Sequence, residues 1–213
     1  MAKKHNQVQS LLGRHDKRRL WTKELPEPVR KIHAPKIEDN SSLHKVVEDV
    51  VSFLENEQIR RIRIWGTLGT GKTTVMQNLN DHQDIAKMFD IVIWVTVSKE
   101  WSIKKLQDAI MQKLKMNMEG TVSIEENSQR IYEVLEGRKC LILLDEVYDF
   151  INLHEVMGID DIQESKVLLA GRIRNICKDM EADELINVKP LSEFEALNMF
   201  KKKVCLVYLL PTN

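Results

Sequence analysis

The sequence predicts an α/β fold in which helices cover both faces of a parallel sheet. Short apolar runs of strand length alternate along the chain with segments of helical periodicity. Several of these runs are apolar at nearly every position, as expected of strands that are buried on both faces. The helical segments between them supply the crossovers that parallel strands require. The predicted architecture is therefore a three-layer α/β/α domain.

Five strands are predicted, of which the first alternates between polar and apolar residues. They are Arg61–Trp65, Ile91–Val97, Cys140–Leu144, Lys166–Gly171 and Leu185–Val188. The helical segments carry their own start and stop signals. Ser41 or Ser42 can cap the first helix, the second begins near Lys72, Ser102 precedes the third, Ser123 and Glu126 form a capping-box pattern before the fourth, Gly137 ends that helix, and Ser192 opens the last.

Composition favours an ordinary globular protein with no overall attraction for polyanions. The 213 residues include 32 basic and 32 acidic side chains, so the chain carries no net charge. Residues 1–36 carry a net charge of +7, and the remainder carries −7. We interpret residues 1–40, which hold three of the five prolines, as a basic and flexible N-terminal segment. The absence of an aromatic or glycine pattern there favours a solvated arm over a nucleic-acid contact.

Cysteine usage and hydropathy indicate a reducing compartment and no membrane span. The three cysteines, Cys140, Cys177 and Cys205, are widely spaced and odd in number, which suggests neither a disulfide framework nor a zinc site. No apolar run approaches the roughly 20 residues of a membrane helix, and the first residues lack the apolar stretch of a signal peptide. A cytoplasmic location is expected.

The most specific motif is a glycine-rich turn between the first strand and the second helix. Its sequence from Gly66 to Thr74 satisfies the pattern GxxxxGK[ST]. Such a turn points successive backbone N–H groups into one concave nest, at the positive end of the following helix, and a polyphosphate fits there. The predicted nucleotide-binding residues in this loop are Gly66, Thr67, Leu68, Gly69, Thr70, Gly71, Lys72, Thr73 and Thr74.

Individual side chains in and near this loop have predicted roles. The Lys72 ammonium can reach the β- and γ-phosphates, and the Thr73 hydroxyl can ligate Mg²⁺. Asp145 follows an apolar strand and can hold Mg²⁺ from the carboxyl edge of the sheet. Glu146 is a candidate catalytic base that orients or deprotonates water. Arg172 ends the fourth strand, where a cation can contact a γ-phosphate.

The sequence favours an adenine nucleotide over other ligands of such loops. It contains no Asn-Lys-x-Asp element of the kind that selects guanine and no LSGGQ-like segment of transporter ATPases. An arginine-rich lid of the kind found in nucleotide kinases is also missing. ATP or ADP with Mg²⁺ is therefore the predicted ligand.

From about Ser42 to Val204, these motifs together resemble the NB-ARC nucleotide-binding domain of plant NLR-type disease-resistance proteins. The glycine-rich loop is similar to GxGGxGKTT, and Phe89–Lys99 resembles the next family motif, with Trp94 typical of the coiled-coil class. Leu143–Tyr148 is similar to LLDDVW, and Lys166–Arg172 is similar to a strand ending in Thr-Thr-Arg. The resemblance implies that Arg172 senses the γ-phosphate.

The chain departs from the family pattern at several positions. Glu146 and Tyr148 replace the family Asp and Trp, and Ala170 and Gly171 replace two threonines, which removes two hydroxyls. We interpret residues 41–204 as the nucleotide-binding domain and residues 205–213 as a divergent tail. We expect the family's C-terminal helical lobe to be missing.

The resemblance implies an ATP/ADP-binding part of a plant innate immune protein, in a truncated form with weak switching. Two alternatives remain open at this stage. One is a self-sufficient Mg²⁺-dependent ATPase that uses Glu146. The other is a nucleotide-independent interaction module, or decoy, that pairs with intact receptors of the NLR type.

Overall fold

A computed structural model describes residues 34–37, 41–118, 122–158, 165–172 and 182–208, with side chains up to residue 201. Five parallel strands form one sheet in the order β2-β3-β4-β1-β5. The strands are β1 Arg61–Trp65, β2 Ile91–Thr96, β3 Cys140–Val147, β4 Lys166–Gly171 and β5 Glu184–Asn187. The predicted parallel sheet is confirmed, and each predicted strand is present with ends shifted by at most three residues.

Seven helices lie in the described part of the chain, and they cover both faces of the sheet. They are α1 Ser42–Glu55, α2 Lys72–Asp81, α3 Gln83–Met88, α4 Ile103–Lys113, α5 Ile124–Leu135, α6 Leu153–Met157 and α7 Glu193–Tyr208. The short helices α3 and α6 were not predicted. Helix α7 continues past Val204, where the sequence analysis placed a domain boundary.

The serine caps form as the sequence predicts. The hydroxyl oxygens of Ser41, Ser102 and Ser123 each accept a backbone N–H three residues later, at 3.2 Å. Ser192 caps α7 in the same way at 3.3 Å, and the Glu195 carboxylate accepts the Ser192 N–H at 2.9 Å in return. A complete capping box therefore fixes the start of α7.

Two apolar layers hold the helices on the sheet. Apolar side chains of α1, α2 and α3 pack on one face, against residues such as Ile62, Ile64 and Leu168. Those of α4, α5 and α6 pack on the other face, against Ile142 and Leu144 among others. Residues that follow β1, β3 and β4 line one cavity at the carboxyl ends of the strands.

The basic N-terminal segment is described only at residues 34–37, which lie against α2. The Ala34 N–H donates to the Asp81 carboxylate at 3.1 Å, and the Asn78 amide donates to the Pro35 carbonyl at 2.9 Å. The rest of the predicted arm, and Cys177, fall outside the described residues. Cys140 is buried, and burial raises the pKa of its thiol to about 12, which makes it unreactive. In the described ranges, no helix is both long and apolar enough to cross a membrane.

Candidate functional site

The glycine-rich turn connects β1 to α2 at the carboxyl edge of the sheet. Gly69 and Gly71 adopt left-handed backbone conformations, with φ of 79° and 94°. Gly66 is glycine for a different reason, since a Cβ there would lie 2.3 Å from the Val188 carbonyl oxygen. The Val188 N–H in turn donates to the Trp65 carbonyl at 2.7 Å. The end of β5 therefore packs directly against the base of the loop.

The Lys72 side chain folds over the same loop. Its ammonium donates to the carbonyls of Gly66 at 2.8 Å and Thr67 at 2.7 Å. Burial lowers the pKa of Lys72, the nearby Arg172 lowers it further, and Asp145 acts in the opposite direction. Two cations and one carboxylate thus line the same cavity. An anionic ligand would relieve the repulsion between the two cations.

The Asp145 carboxylate lies beside the loop because β3 carries an irregularity there. Leu144 pairs with Leu169, but Val147 pairs with Gly171, so β3 has one extra residue in this interval. Such a bulge re-aims side chains at the end of a strand. Asp145 is 3% exposed, and its carboxylate accepts the Glu146 N–H at 2.9 Å. Burial raises the pKa of Asp145, while hydrogen bonds from Thr73 and Glu146 partly offset that rise.

Glu146 is the second residue of the bulge, and its backbone is left-handed with φ of 58°. Such a conformation costs a residue with a Cβ about 1–2 kcal/mol. Its side chain is exposed, and Glu146 lines a cavity next to the loop. The bulge therefore turns Asp145 inward, to the Thr73 hydroxyl, and Glu146 outward, to the solvent side of the cavity.

A cavity of about 290 Å³ collects most of the predicted site residues. The predicted residues that line it are Leu68, Gly69, Gly71, Lys72, Thr73, Thr74, Asp145, Glu146 and Arg172. The other three do not line the cavity but are hydrogen-bonded within the loop: Lys72 donates to the carbonyls of Gly66 and Thr67, and the Thr70 hydroxyl donates to the Thr67 carbonyl at 3.1 Å. The sequence analysis did not select Val147, Tyr148 or Gly171, which also line the cavity.

The donor set of the cavity fits a magnesium-bound polyphosphate. The Thr73 hydroxyl and the Asp145 carboxylate are hydrogen-bonded to each other, and both offer the hard oxygen atoms that Mg²⁺ prefers. Residues of the loop and of the start of α2 line the cavity together with the two cationic side chains, and the free N–H groups at the start of a helix attract anions. These residues would hold the phosphates and the metal.

A second cavity of about 430 Å³ opens on the other side of the loop. It shares Gly69, Gly71 and Thr74 with the first cavity. Its remaining lining is mostly apolar and comes from both ends of the described chain: Pro35, Ile37, Leu43, Leu191, Phe194 and Met199 contribute to it. The sequence analysis missed this cavity because no local motif records that these distant segments meet.

Glu195 joins the two chain ends that form the second cavity. Its carboxylate accepts the Ser42 N–H at 2.7 Å as well as the N–H and hydroxyl of Ser192. These bonds lower the pKa of Glu195 to about 2. A carboxyl group whose pKa falls on folding stabilises the fold above its usual pKa of 4.5, and that contribution is lost as the pH falls towards 2.

The fold and the loop define a nucleotide-binding domain of the P-loop class. Solved structures with the same fold include Cdc6p from Pyrobaculum aerophilum, with a TM-score of 0.63 and 13% identity over 82% of this chain and 52% of that one. DnaA from Aquifex aeolicus, solved with AMPPCP, has a TM-score of 0.50 and 17% identity in the matched region. At such identities the likeness concerns the fold alone.

The NB-ARC domain model matches residues 43–207, and the chain belongs to the NB-ARC family. A probable disease resistance protein of Arabidopsis thaliana is 31% identical over 208 residues, which are 96% of this chain and 24% of the relative. Another from the same plant is 34% identical over 157 residues, which are 71% of this chain and 41% of that relative. The chain thus spans about a quarter of the first relative. The predicted resemblance is confirmed, and the chain corresponds to the nucleotide-binding part of such proteins.

Proposed function

We propose that this chain binds ADP or ATP with Mg²⁺ as the nucleotide-binding part of a cytoplasmic plant disease-resistance protein. The observation that carries the proposal is the cavity that Gly69 and residues 71–74 of the loop line together with Arg172 and the buried Asp145 carboxylate. In this arrangement Lys72 and Arg172 balance the phosphate charge. Thr73 and Asp145 hold the metal, which would neutralise further phosphate charge when bound.

The second cavity is the proposed place for the base. It adjoins the first cavity, the proposed phosphate cavity, along Gly69, Gly71 and Thr74. Pro35, Ile37, Leu43 and Leu191 in its lining offer apolar surface to an aromatic base. A nucleotide lying across the loop would therefore place its base between α1 and α7 and its phosphates over α2. The sequence offers no guanine-selecting element, which supports adenine.

Magnesium dependence tests this proposal. In wild-type protein, Mg²⁺ is expected to strengthen ADP binding, because Asp145 and Thr73 contribute oxygen ligands. Asp145→Asn keeps the size of the side chain but removes its charge. We expect this variant to reduce the Mg²⁺-dependent gain in ADP affinity by about tenfold or more. Isothermal titration with ADP measures the affinity of each protein with and without Mg²⁺.

Asp149→Asn is the matched control, since Asp149 is exposed and does not line the cavity. Equal Mg²⁺ dependence in wild-type protein, Asp149→Asn and Asp145→Asn would contradict the proposed metal site. Absence of ADP binding by folded wild-type protein at millimolar nucleotide would contradict the proposed function as a whole.

Affinity is a further part of the proposal. We expect a Kd for ADP above about 1 μM when this chain is tested alone, because the apolar residues of the base cavity hold adenine by packing and do not hydrogen-bond it. Switching between ADP- and ATP-bound states, as the family resemblance implies, is then expected to be weak. A sub-micromolar Kd in the same titration would show that this chain needs no further contacts.

Slow ATP hydrolysis is a second candidate function, and the position of Glu146 favours it. Its carboxylate lines the phosphate cavity next to the metal-facing Asp145, on a backbone held in a costly conformation. There it can take a proton from water. If wild-type protein turns over ATP, Glu146→Gln is expected to lower kcat about 10²–10⁴-fold. A folded wild-type protein without phosphate release would remove this candidate.

A further inference from the structure

Tyr148 and Arg172 leave the sheet side by side, immediately above the phosphate cavity. Val147 is the last residue of β3 and pairs with Gly171, the last residue of β4. The next residue of each strand is therefore Tyr148 on one side and Arg172 on the other. Both line the phosphate cavity. The bulge at Asp145 and Glu146 sets this pairing, because it shifts the β3 register by one residue.

The tyrosine ring is in contact with two cations. The Arg172 guanidinium carbon lies 5.4 Å from the ring centroid, and the Lys99 ammonium nitrogen lies 5.9 Å from it. Both distances are within the range of cation–π attraction. Arg172 is otherwise exposed, so the half-buried ring is a fixed surface against which its long side chain can be held.

Gly171 permits the close approach of the two strand ends. A Cβ on Gly171 would lie 2.5 Å from the Val147 carbonyl oxygen and 2.6 Å from the buried Arg63 guanidinium. Glycine at this position therefore lets β4 end tightly against β3. The consequence is that Arg172 emerges close to the ring rather than away from it.

Arg172 lies in the part of the phosphate cavity that is not shared with the base cavity. The base cavity shares Gly69, Gly71 and Thr74 with the phosphate cavity, but neither Arg172 nor Tyr148 lines it. A nucleotide that lies across the loop would present its terminal phosphate to this part of the phosphate cavity.

We propose that Tyr148 is a positioning residue that holds Arg172 at the terminal phosphate and so sets the preference for triphosphate over diphosphate. The inference rests on the proposed nucleotide site. Without the aromatic face, Arg172 samples many solvent-exposed rotamers, and its ordering on binding lowers the affinity. The effect is confined to ligands that reach Arg172, so ADP affinity is unaffected.

The test compares Kd values for Mg²⁺-ADP and a Mg²⁺-bound, non-hydrolysable ATP analogue. Tyr148→Leu keeps an apolar side chain but removes the aromatic face, and we expect the ratio of ADP to triphosphate Kd to fall about threefold to tenfold. Arg172→Ala is expected to lower the ratio at least as much. The double variant Tyr148→Leu/Arg172→Ala should lower this ratio no further than Arg172→Ala alone.

Conservative variants and the Kd for ADP distinguish a positioning role of Tyr148 from a general role in packing. Tyr148→Phe and Tyr148→Trp keep an aromatic face and are expected to retain the wild-type ratio within about twofold. Equal weakening of ADP and triphosphate binding in Tyr148→Leu, or additive losses in the double variant, would overturn the inference. If wild-type protein binds both nucleotides and Tyr148→Leu has an unchanged ratio, only this inference fails. If wild-type protein binds neither, the proposed function fails and the inference falls with it.

Discussion

Replacing Lys72 by alanine is expected to lower nucleotide affinity by at least about 100-fold, or about 2.7 kcal/mol. The reason is that the Lys72 ammonium is the cation nearest the amide nest and can donate to the phosphates that the nest holds. In the structure it already donates to the carbonyls of Gly66 and Thr67, at the edge of that nest. Isothermal titration with Mg²⁺-ADP measures the loss.

A lysine far from the cavity provides the matched control. Lys87 is exposed and makes a 2.8 Å ion pair with Asp84 on α3. Lys87→Ala removes the same charge and is expected to leave the affinity within about twofold of wild type, because exposed charges at a distance are screened. Similar affinities of Lys72→Ala and wild-type protein, with both folded, would contradict the assigned role.

Gly66→Ala is expected to destabilise the fold by about 2–4 kcal/mol. The added Cβ would meet the Val188 carbonyl oxygen at 2.3 Å and the Thr70 hydroxyl at 2.9 Å. Relief would need movement of the backbone after β5 or of the loop itself, since neither atom is at the end of a long flexible side chain. Unfolding in urea, followed by circular dichroism, measures the change in the free energy of unfolding.

Gly69→Ala is the comparison that isolates the steric effect. Gly69 has a left-handed φ of 79°, but nothing lies within 4 Å of an added Cβ. Its substitution should therefore cost only the conformational strain, about 1–2 kcal/mol. Gly66→Ala should also weaken nucleotide binding, since the loop must shift. If the free energy of unfolding of Gly66→Ala equals or exceeds that of Gly69→Ala, Val188 does not pack against the loop in solution.

The sequence predicted those parts of the fold that depend on local patterns. The apolar runs at Ile91–Val97 and Lys166–Gly171 became strands of the sheet because apolar residues on both faces require burial on both faces. The loop from Gly66 to Thr74 was readable because its glycines and Lys72 have a fixed spacing. Asp145 could be placed beside it because parallel strands all end at one edge.

Other features of the site depend on how the strand ends pack, which no local pattern records. The bulge at Glu146 involves an ordinary acidic residue in a left-handed conformation, where the sequence shows no glycine or asparagine. The contact of Tyr148 with Arg172 depends on the register that this bulge creates. Arg63 occupies a polar position of an alternating strand, yet it is completely buried. Charge alone gives no sign of that burial.

Amide chemical shifts of the loop test the central claim most directly. In ¹⁵N-labelled protein, addition of Mg²⁺-ADP is expected to shift the backbone amides of Gly69, Gly71, Lys72 and Thr73, because phosphate oxygens would accept their hydrogen bonds. The amides of Gly137 and Gly158, which follow α5 and α6, should stay in place because neither residue lines either cavity. Loop amides that do not shift at millimolar Mg²⁺-ADP, in a folded protein, would contradict phosphate binding by this turn.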